Sequence, residues 1–447
     1  MEEDRTEERS RRRRDVAIAI VARLQQCGYT AFFAGGCVRD ALRGVSPKDI
    51  DIVTAAEPKI VQGLFSRTVP VGAQFGVIRV LEQGFEFEVA TFRADGKYVD
   101  GRRPESVVFS TPREDAERRD FTVNGMFLNP VTGQVIDYVG GREDLARRLI
   151  RAIGRPAERF LEDRLRLLRA VRFATTLQFE IEPATWEALQ EQAAEITVVS
   201  AERIRDELNK VFLDPNRVAG LDRLESAGLL QVILPEVQAM RGCEQPPQFH
   251  PEGDVYVHTR LMLSLLSPDA PLTLVWAVLL HDIGKPVTKT FHPEEGGRIR
   301  FNGHDRVGAE MAEDIMTRLR FSNEEISAVA EAVRNHMVFK DAPQMRPARL
   351  RRFMARPTFP VELELHRADC AGSHGDLGVY DFLEQKREEF AAEPLIPKPL
   401  ITGHDLIAMG LTPGPRFREI LDAVQTSQLE GDTRTKADAL ALVEKLL

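Results

Sequence analysis

The sequence predicts an α+β protein, a small mixed-sheet head followed by an elongated all-α neck and body. Three observations predict it. A glycine turn, Gly35-Gly36, leads toward a β-branched stretch, Asp49-Ile50-Asp51-Ile52-Val53, that carries alternating acids. Short strand-like runs punctuated by Gly and Pro continue through residues 135–138. From residue 157 onward, apolar residues recur at helical spacing instead.

Residues 15–27 read as an amphipathic helix leading into a strand near Thr30–Ala34. A helix over Cys37–Leu42 follows, its N-terminus suited to phosphate. The next strand carries Asp49 and Asp51, and further strands are expected at 77–81, 85–93, 107–109 and 135–138. Helical segments are expected at 157–177, 183–195, 200–212 and 217–229, then as an array over 255–391. Loop breaks fall at Gln245–Pro251 and Pro293–Gly297, and a Pro-rich linker, Glu393–Pro399, precedes the last helices from 402. These signals divide the chain into a head (1–147), a helical neck and body (148–245), a third unit (250–375) and a helical tail (376–447).

The chain has 447 residues, which implies two to four domains rather than one core. With 43% hydrophobic and 29% charged residues it has the composition of a soluble globular protein. Cys27, Cys37, Cys243 and Cys370 form no C-x-x-C pair, so neither a disulfide frame nor a cysteine zinc site is indicated, and a reducing cytoplasm fits. The charged N-terminus lacks the apolar core of a signal peptide. Its Arg11–Arg14 run reads as a solvated end in preference to a basic arm for RNA. The longest apolar stretch, Ala270–Leu280, is too short to span a bilayer. A net charge of −9 does not itself point to nucleic acid, but the distribution is uneven. Residues 142–172 hold ten arginines against five acids, and residues 345–356 hold five arginines and no acid. Backbone binding needs such local patches rather than a basic total.

On a strand, residues i and i+2 share a face, so Asp49 and Asp51 would project together. Adjacent carboxylates repel unless a cation lies between them, which makes the pair a divalent-metal site. Gly35-Gly36 allows backbone N–H groups close to an anion, and Arg39 adds a phosphate-sized cation. A metal with a phosphate cradle is what nucleotidyl transfer requires; the plainer reading is a strand edge with two solvated acids. Glu88 is either a third acid of the site or an outward-facing strand residue.

This arrangement resembles the head of the DNA polymerase β superfamily. More closely it resembles class II tRNA nucleotidyltransferases, the CCA-adding enzymes, and the related bacterial poly(A) polymerases. Arg118-Arg119-Asp120-Phe121-Thr122-Val123-Asn124 matches that family's R-R-D-[FL]-T-[IV]-N motif, with Gly125-Met126 departing from the commoner Ala-Leu or Ala-Ile. Arg119 is suited to phosphate, and Asp120 and Asn124 to tying the head to the following helix. The resemblance also covers Glu162-Asp163-Arg164-Leu165-Arg166, where a helix reads the incoming base. On one continuous helix Glu162, Arg166 and Arg169 lie within about 60° of one another, flanked by Asp163 and Arg172.

Cytosine and adenine both present an exocyclic amino donor beside a ring-nitrogen acceptor; uracil and guanine present the opposite pattern. Asp163 accepting and Arg166 donating therefore select C and A. The resemblance implies that Gly36, Arg39, Arg169 and Arg172 also contact nucleotide or triphosphate. It further implies that Arg203–Leu208 is a supporting neck element. The loop Asp95–Pro104 is similar to one that helps the switch from CTP to ATP, which implies terminal A addition.

A second set of residues, His258, His281-Asp282, His304, His336 and Asp369, resembles the HD phosphohydrolase superfamily in its H…HD…H…H…D order. Imidazoles and carboxylates suit Ni, Mn, Fe or Co as well as Zn or Mg²⁺. The resemblance thus implies an enzyme that adds C, C and A to the tRNA 3′ end from CTP and ATP, with Mg²⁺ at Asp49 and Asp51 and a second metal in a fused HD domain. No membrane and no obligate protein partner is implied. The rivals are an A-adding or poly(A) enzyme of the same fold, and an HD phosphohydrolase whose head only recruits RNA; an HD fold kept as scaffold is the plainer reading of the third unit.

Overall fold

The computed structural model describes residues 2–47, 49–72, 76–95, 107–246, 248, 250–292, 298–391 and 394–447. The chain separates into two compact units, Met1–Ile233 and Leu234–Leu447. The loop expected over 95–104 and the break at Pro293–Gly297 fall outside the described residues, except for Asp95.

The first unit begins with α1 (Glu2–Gln26), β1 (Ala31–Ala34), α2 (Gly36–Leu42), β2 (Asp51–Thr54) and α3 (Pro58–Leu64). Then come β3 (Thr68–Gly72), β4 (Val77–Glu82), β5 (Phe85–Thr91), β6 (Arg93–Asp95), β7 (Val107–Phe109) and α4 (Pro112–Glu117). A short 3₁₀ turn at Thr122–Asn124 precedes β8 (Phe127–Leu128), β9 (Val135–Ile136), α5 (Gly141–Arg147) and β10 (Leu149–Ile150). The helical part holds α6 (Pro156–Glu162), α7 (Leu165–Leu177), β11 (Glu180–Ile181), α8 (Pro183–Glu191), α9 (Ala201–Phe212), α10 (Arg217–Ser226) and α11 (Leu229–Ile233).

Seven strands form one mixed sheet in the order β3-β4-β5-β2-β1-β8-β9. Within it, β2 and β5 pair in parallel at Ile52↔Val89, whereas β1 and β2 are antiparallel at Phe33↔Ile52. One face packs Val16, Ile20 and Leu24 of α1 against Phe33, Ile52, Ile78 and Phe87. The other gathers Phe32, Val53, Phe92 and Phe127. Burying both faces explains why the central strands read as apolar runs rather than strict alternation.

Three sequence expectations change. First, α1 extends far beyond residues 15–27, because the Glu- and Arg-rich run before it consists of good helix formers. Second, Asp49 lies outside β2, which starts at Asp51. On the β1 side pairing ends at Ala34↔Asp51, where β1 turns into α2. Third, the helix expected over 157–177 is broken: Asp163 is extended (φ −142°, ψ 106°) between α6 and α7. Its side chain accepts from Leu165 N–H at 3.1 Å, the local capping that competes with helix continuation.

The second unit is helical apart from one hairpin among the described residues. It comprises α12 (Pro235–Gln238), α13 (Val255–Ser264), α14 (Leu272–Leu280), α15 (Lys285–Thr288), the hairpin β12 (Thr290–His292) and β13 (Arg298–Arg300), α16 (His304–Arg318) and α17 (Asn323–Asn335). After a 3₁₀ segment follow α18 (Pro347–Met354), α19 (Phe359–Gly372), α20 (Gly378–Phe390), α21 (Gly403–Ala408), α22 (Pro415–Glu430) and α23 (Lys436–Leu446). No helix among the described residues is long and apolar enough to cross a membrane.

Candidate active sites

In the head, the parallel register Ile52↔Val89 sets Asp51 beside Glu88 on neighbouring strands. Asp49, Asp51 and Glu88 line one recess of about 450 Å³, with Arg13 and Arg79 as its cations. Glu88 lines this recess while remaining exposed on its strand, 3.8 Å from Arg79. Burial raises the Asp51 pKa, and the negative charges of Glu88 and Asp49 push the same way against Arg119 and Arg13. A carboxylate made more basic by neighbouring acids is one that a divalent cation would stabilise. Gly35, in the left-handed region at φ +73°, caps α2. A side chain there would meet Arg119 Nη1 at 3.1 Å.

Arg119 is held by the buried Asp115 through Nη2 at 3.0 Å and donates to the Asn124 carbonyl at 3.3 Å. Arg39 is buried and donates to Asn124 Oδ1 at 2.8 Å, its guanidinium lying over the Phe173 ring. Asp120 accepts from Arg169 at 2.6 Å and from Asn124 at 3.1 Å. The head motif is therefore tied to α7, in line with the role read from the sequence. Burial alone would raise the Asp120 pKa; the Arg169 charge and the hydrogen bonds overcome it and hold it at about 2.

At the α6–α7 break, Asp163 accepts from Arg203 at 2.8 Å. Arg166 is buried and donates to Glu162 at 2.6 Å and to the carbonyls of Arg159 and Arg118 at 2.9 and 3.0 Å. Arg172 is paired with the buried Glu207, which also takes Lys210. The break, rather than a continuous helical face, brings these groups together. Sequence reasoning missed Asp115 and Glu207 as anchors, because a lone acid on a helix carries no signal of its arginine partners.

In the second unit, five segments deliver the six predicted residues: His258 from α13, His281 and Asp282 after α14, His304 opening α16, His336 after α17 and Asp369 from α19. Five are buried and Asp369 is half-buried. Gly284 packs α15 against α16; a side chain there would drive into the His304 carbonyl and lie 2.8 Å from Gly308 N. His281, His304 and His336 each direct Nδ1 to a backbone carbonyl, of Val278, Phe301 and Val333, at 2.8, 2.8 and 2.6 Å. A carbonyl only accepts, so Nδ1 carries the proton and Nε2 faces inward as a ligand atom.

His258, His281 and Asp369 form one metal-sized group and Asp282, His304 and His336 a second. Asp282 touches both, with Oδ2 3.1 Å from His281 Nε2 and Oδ1 3.5 Å from His304 Nε2. Asp282 Oδ1 and His281 Nε2 are buried and receive no aligned hydrogen bond from the described residues, whereas Asp282 Oδ2 faces Lys285 Nζ at 2.6 Å. Unsatisfied buried ligand atoms of this kind fit a cation. Burial would lower the His258 pKa, but the contacts with Asp369 (3.1 Å) and Glu252 (2.7 Å) raise it to about 9.

The sequence reading also missed Glu252, which bridges His250 and His258, and Lys285, 2.6 Å from Asp282. The i,i+3 spacing from Asp282 to Lys285 was a usable signal; nothing in the sequence linked Glu252 to His258. Asp282, His304, His336 and Asp369 line a cavity of about 650 Å³ together with Lys285, Arg298 and Lys340.

The arginines of 345–356 are partly committed. Arg351 lies over the Phe390 ring, Arg352 donates to Thr426 at 2.9 Å, and Arg356 pairs with Glu362. Arg346 and Arg349 are not buried.

Residues 31–151 match the poly A polymerase head domain, residues 178–240 the probable RNA and SrmB-binding site of polymerase A, and residues 254–370 the HD domain. An A-adding tRNA nucleotidyltransferase from Deinococcus radiodurans is 35% identical over 435 residues, 93% of this chain and 95% of the relative. The chain belongs to the tRNA nucleotidyltransferase family. A CCA-adding enzyme from Limosilactobacillus reuteri is 44% identical over 213 residues, 47% of this chain and 53% of that relative. The crystal structure of the Bacillus stearothermophilus CCA-adding enzyme in complex with CTP aligns with a TM-score of 0.73 at 26% identity, covering 96% of each chain. Family membership makes the chain a nucleotidyltransferase with a mixed-sheet head and a largely helical remainder that includes an HD domain.

Proposed function

We propose that the chain adds C, C and A to the 3′ end of tRNA from CTP and ATP, without a nucleic-acid template. The observation that carries this reading is the recess in which Asp49, Asp51 and Glu88 converge beside Arg119 and the Gly35 turn. Asp49 and Asp51, with Glu88 as a third carboxylate, would hold Mg²⁺, which when bound lowers the pKa of the attacking 3′ hydroxyl and stabilises departing pyrophosphate. Gly36 and Arg119 receive the triphosphate, backed by Arg39, Arg169 and Arg172. Asp163 accepts from the exocyclic amino group of C or A and Arg166 donates to the ring nitrogen, once the base replaces part of their present partners. The division into head (1–147), neck and body (148–245), HD domain (250–375) and tail (376–447) follows from the same reading, as does the cytoplasmic setting.

Sequencing the 3′ ends made on a tRNA lacking CCA, with all four nucleotides present, tests the proposal. The same experiment separates a second reading, addition of A alone. Loss of transfer in Asp49→Ala is expected; retained transfer would sink the assignment of Asp49 to the metal site.

The HD residues are assigned to a metal-dependent phosphodiesterase or phosphatase acting on 2′,3′-cyclic and terminal phosphates. Lys285, Arg298 and Lys340 in the same cavity suit a phosphate. Hydrolysis screened with Ni²⁺, Mn²⁺ and Mg²⁺ should disappear in Asp282→Ala while nucleotide addition persists. No hydrolysis with any of these ions would make the HD domain a scaffold.

A further inference from the structure

Helix α1 lies ahead of the matched head domain, which begins at residue 31, yet it reaches the carboxylate recess. Arg13 Nη2 is 3.1 Å from Asp49 Oδ1, and its guanidinium lies 5.9 Å from the centroid of Phe87, the residue between Glu86 and Glu88. Arg13 also lines two further recesses. One, of about 520 Å³, holds Arg9, Ser10 and Ser46; the other, of about 460 Å³, holds Arg11 and Arg14. Residues 9–15 carry five arginines and one acid. Arg9, Arg11, Arg12 and Arg14 are exposed, and Arg9 and Arg13 fall one turn apart on one face. The structure thus sets Arg13 against the carboxylate recess, with Arg9, Arg11, Arg12 and Arg14 solvated around it.

We propose that the arginine face of α1 receives the phosphodiester backbone at the end of the acceptor RNA, with Arg13 gripping a phosphate next to the metal carboxylates. This rests on the reading of the head as a nucleotidyl-transfer site. An acceptor strand must bring its own anionic phosphates to within reach of three carboxylates. Metal ions offset that repulsion at the reacting atoms, but the preceding phosphates need cations of their own. The Arg13–Asp49 pair is exposed on the Asp49 side, and a pair of this kind is weak. A phosphate that offers two oxygens to the guanidinium fork can therefore displace it.

The test uses full-length protein with Arg13→Ala, Arg9→Ala/Arg13→Ala and Arg13→Lys. Binding of a tRNA lacking its 3′ CCA is followed by fluorescence anisotropy between about 50 and 200 mM salt, without nucleotide. The slope of log K against log salt should flatten by about 0.7 for each phosphate that is no longer neutralised, more in the double variant, and Arg13→Lys should recover much of it. The KM for CTP should stay at the wild-type value. An unchanged slope with a raised CTP KM would place Arg13 on the triphosphate and overturn the proposal. An unchanged slope with only a shifted Mg²⁺ requirement would reduce Arg13 to a counter-ion of Asp49. Wild-type incorporation is measured alongside: its absence would sink the transfer reading by itself, whereas the slopes judge Arg13.

Discussion

The Nε2 atoms of His304 and His336 face each other at 3.1 Å. Both rings hold their proton on Nδ1, so two lone pairs confront one another inside the protein. Asp282 Oδ1 lies close to both, at 3.5 and 3.8 Å. A divalent ion among these three atoms turns mutual repulsion into coordination.

Metal removal should therefore destabilise the second unit. Prolonged chelation should lower its unfolding temperature, and return of Ni²⁺ or Mn²⁺ should restore it, by roughly 3–4 kcal/mol at 100–1,000 times the dissociation constant. Metal analysis of His336→Ala should show less bound ion than wild type. A melting curve indifferent to chelator and metal would oppose the site.

Glu252 should govern how tightly His258 holds its ion. The other three histidines rest on carbonyls, but His258 Nδ1 meets a carboxylate at 2.7 Å, which makes its ring a stronger donor. Glu252→Gln should weaken metal affinity by roughly 10–100-fold in chelator competition, with the fold intact by circular dichroism. Equal retention in both proteins would confine Glu252 to packing.

Asp51 and Glu88 should differ in severity. Asp51→Ala should reduce nucleotide incorporation by roughly 10³-fold or more, the scale of removing a preorganised charge-stabilising group. Glu88→Ala should mainly raise the Mg²⁺ concentration needed for half-maximal rate, since Glu88 stands one strand away from the aspartates across the Ile52↔Val89 register. A Glu88 variant with wild-type Mg²⁺ dependence would return that residue to the strand surface.

Arg203 presents Asp163 at the α6–α7 break. Asp163→Ala should reduce discrimination of C and A over U and G by roughly 1–3 kcal/mol for the missing acceptor. Arg203→Ala should act in the same direction, more weakly, by leaving the carboxylate mobile. Competition assays with mixed nucleotides read both; unchanged selection in Asp163→Ala would move base reading elsewhere.

Asp120 supplies a pH test. Its folded-state pKa of about 2 lies below the ordinary 3.8, so its stabilisation is present above pH 3.8 and disappears as the pH falls through about 2. The difference corresponds to roughly 2 kcal/mol. Asp120→Asn should lower stability at neutral pH by about that much and flatten the loss of stability between those two pH values. Acid titration of unfolding in the two proteins measures it.

The strands and motifs of the head were legible because each residue's role is local: a glycine turn, alternating acids and β-branched neighbours all lie within 21 residues, from Phe33 to Val53. The six HD residues could be picked out from order and type alone, and the fold brings them together. The α6–α7 break was not, since Asp163 is as compatible with a helix surface as with a cap until Leu165 N–H and Arg203 are in place. Asp49 was misplaced onto a strand because pairing depends on where β1 ends, information that lies fifteen residues upstream at Ala34. The contact of Arg13 with Asp49 was not legible, because nothing in a charged run reports which surface it will meet.

Gly284 touches no ion and carries no functional group, yet it decides whether α16 can lie close enough for His304 to reach Asp282. One methyl group there would pry the two apart while all six ligands stayed in the sequence. A relative with all six residues preserved but a bulkier residue at this position would look competent on paper and be expected to lose the arrangement; the space a backbone leaves empty matters to this cluster as much as the side chains that form it.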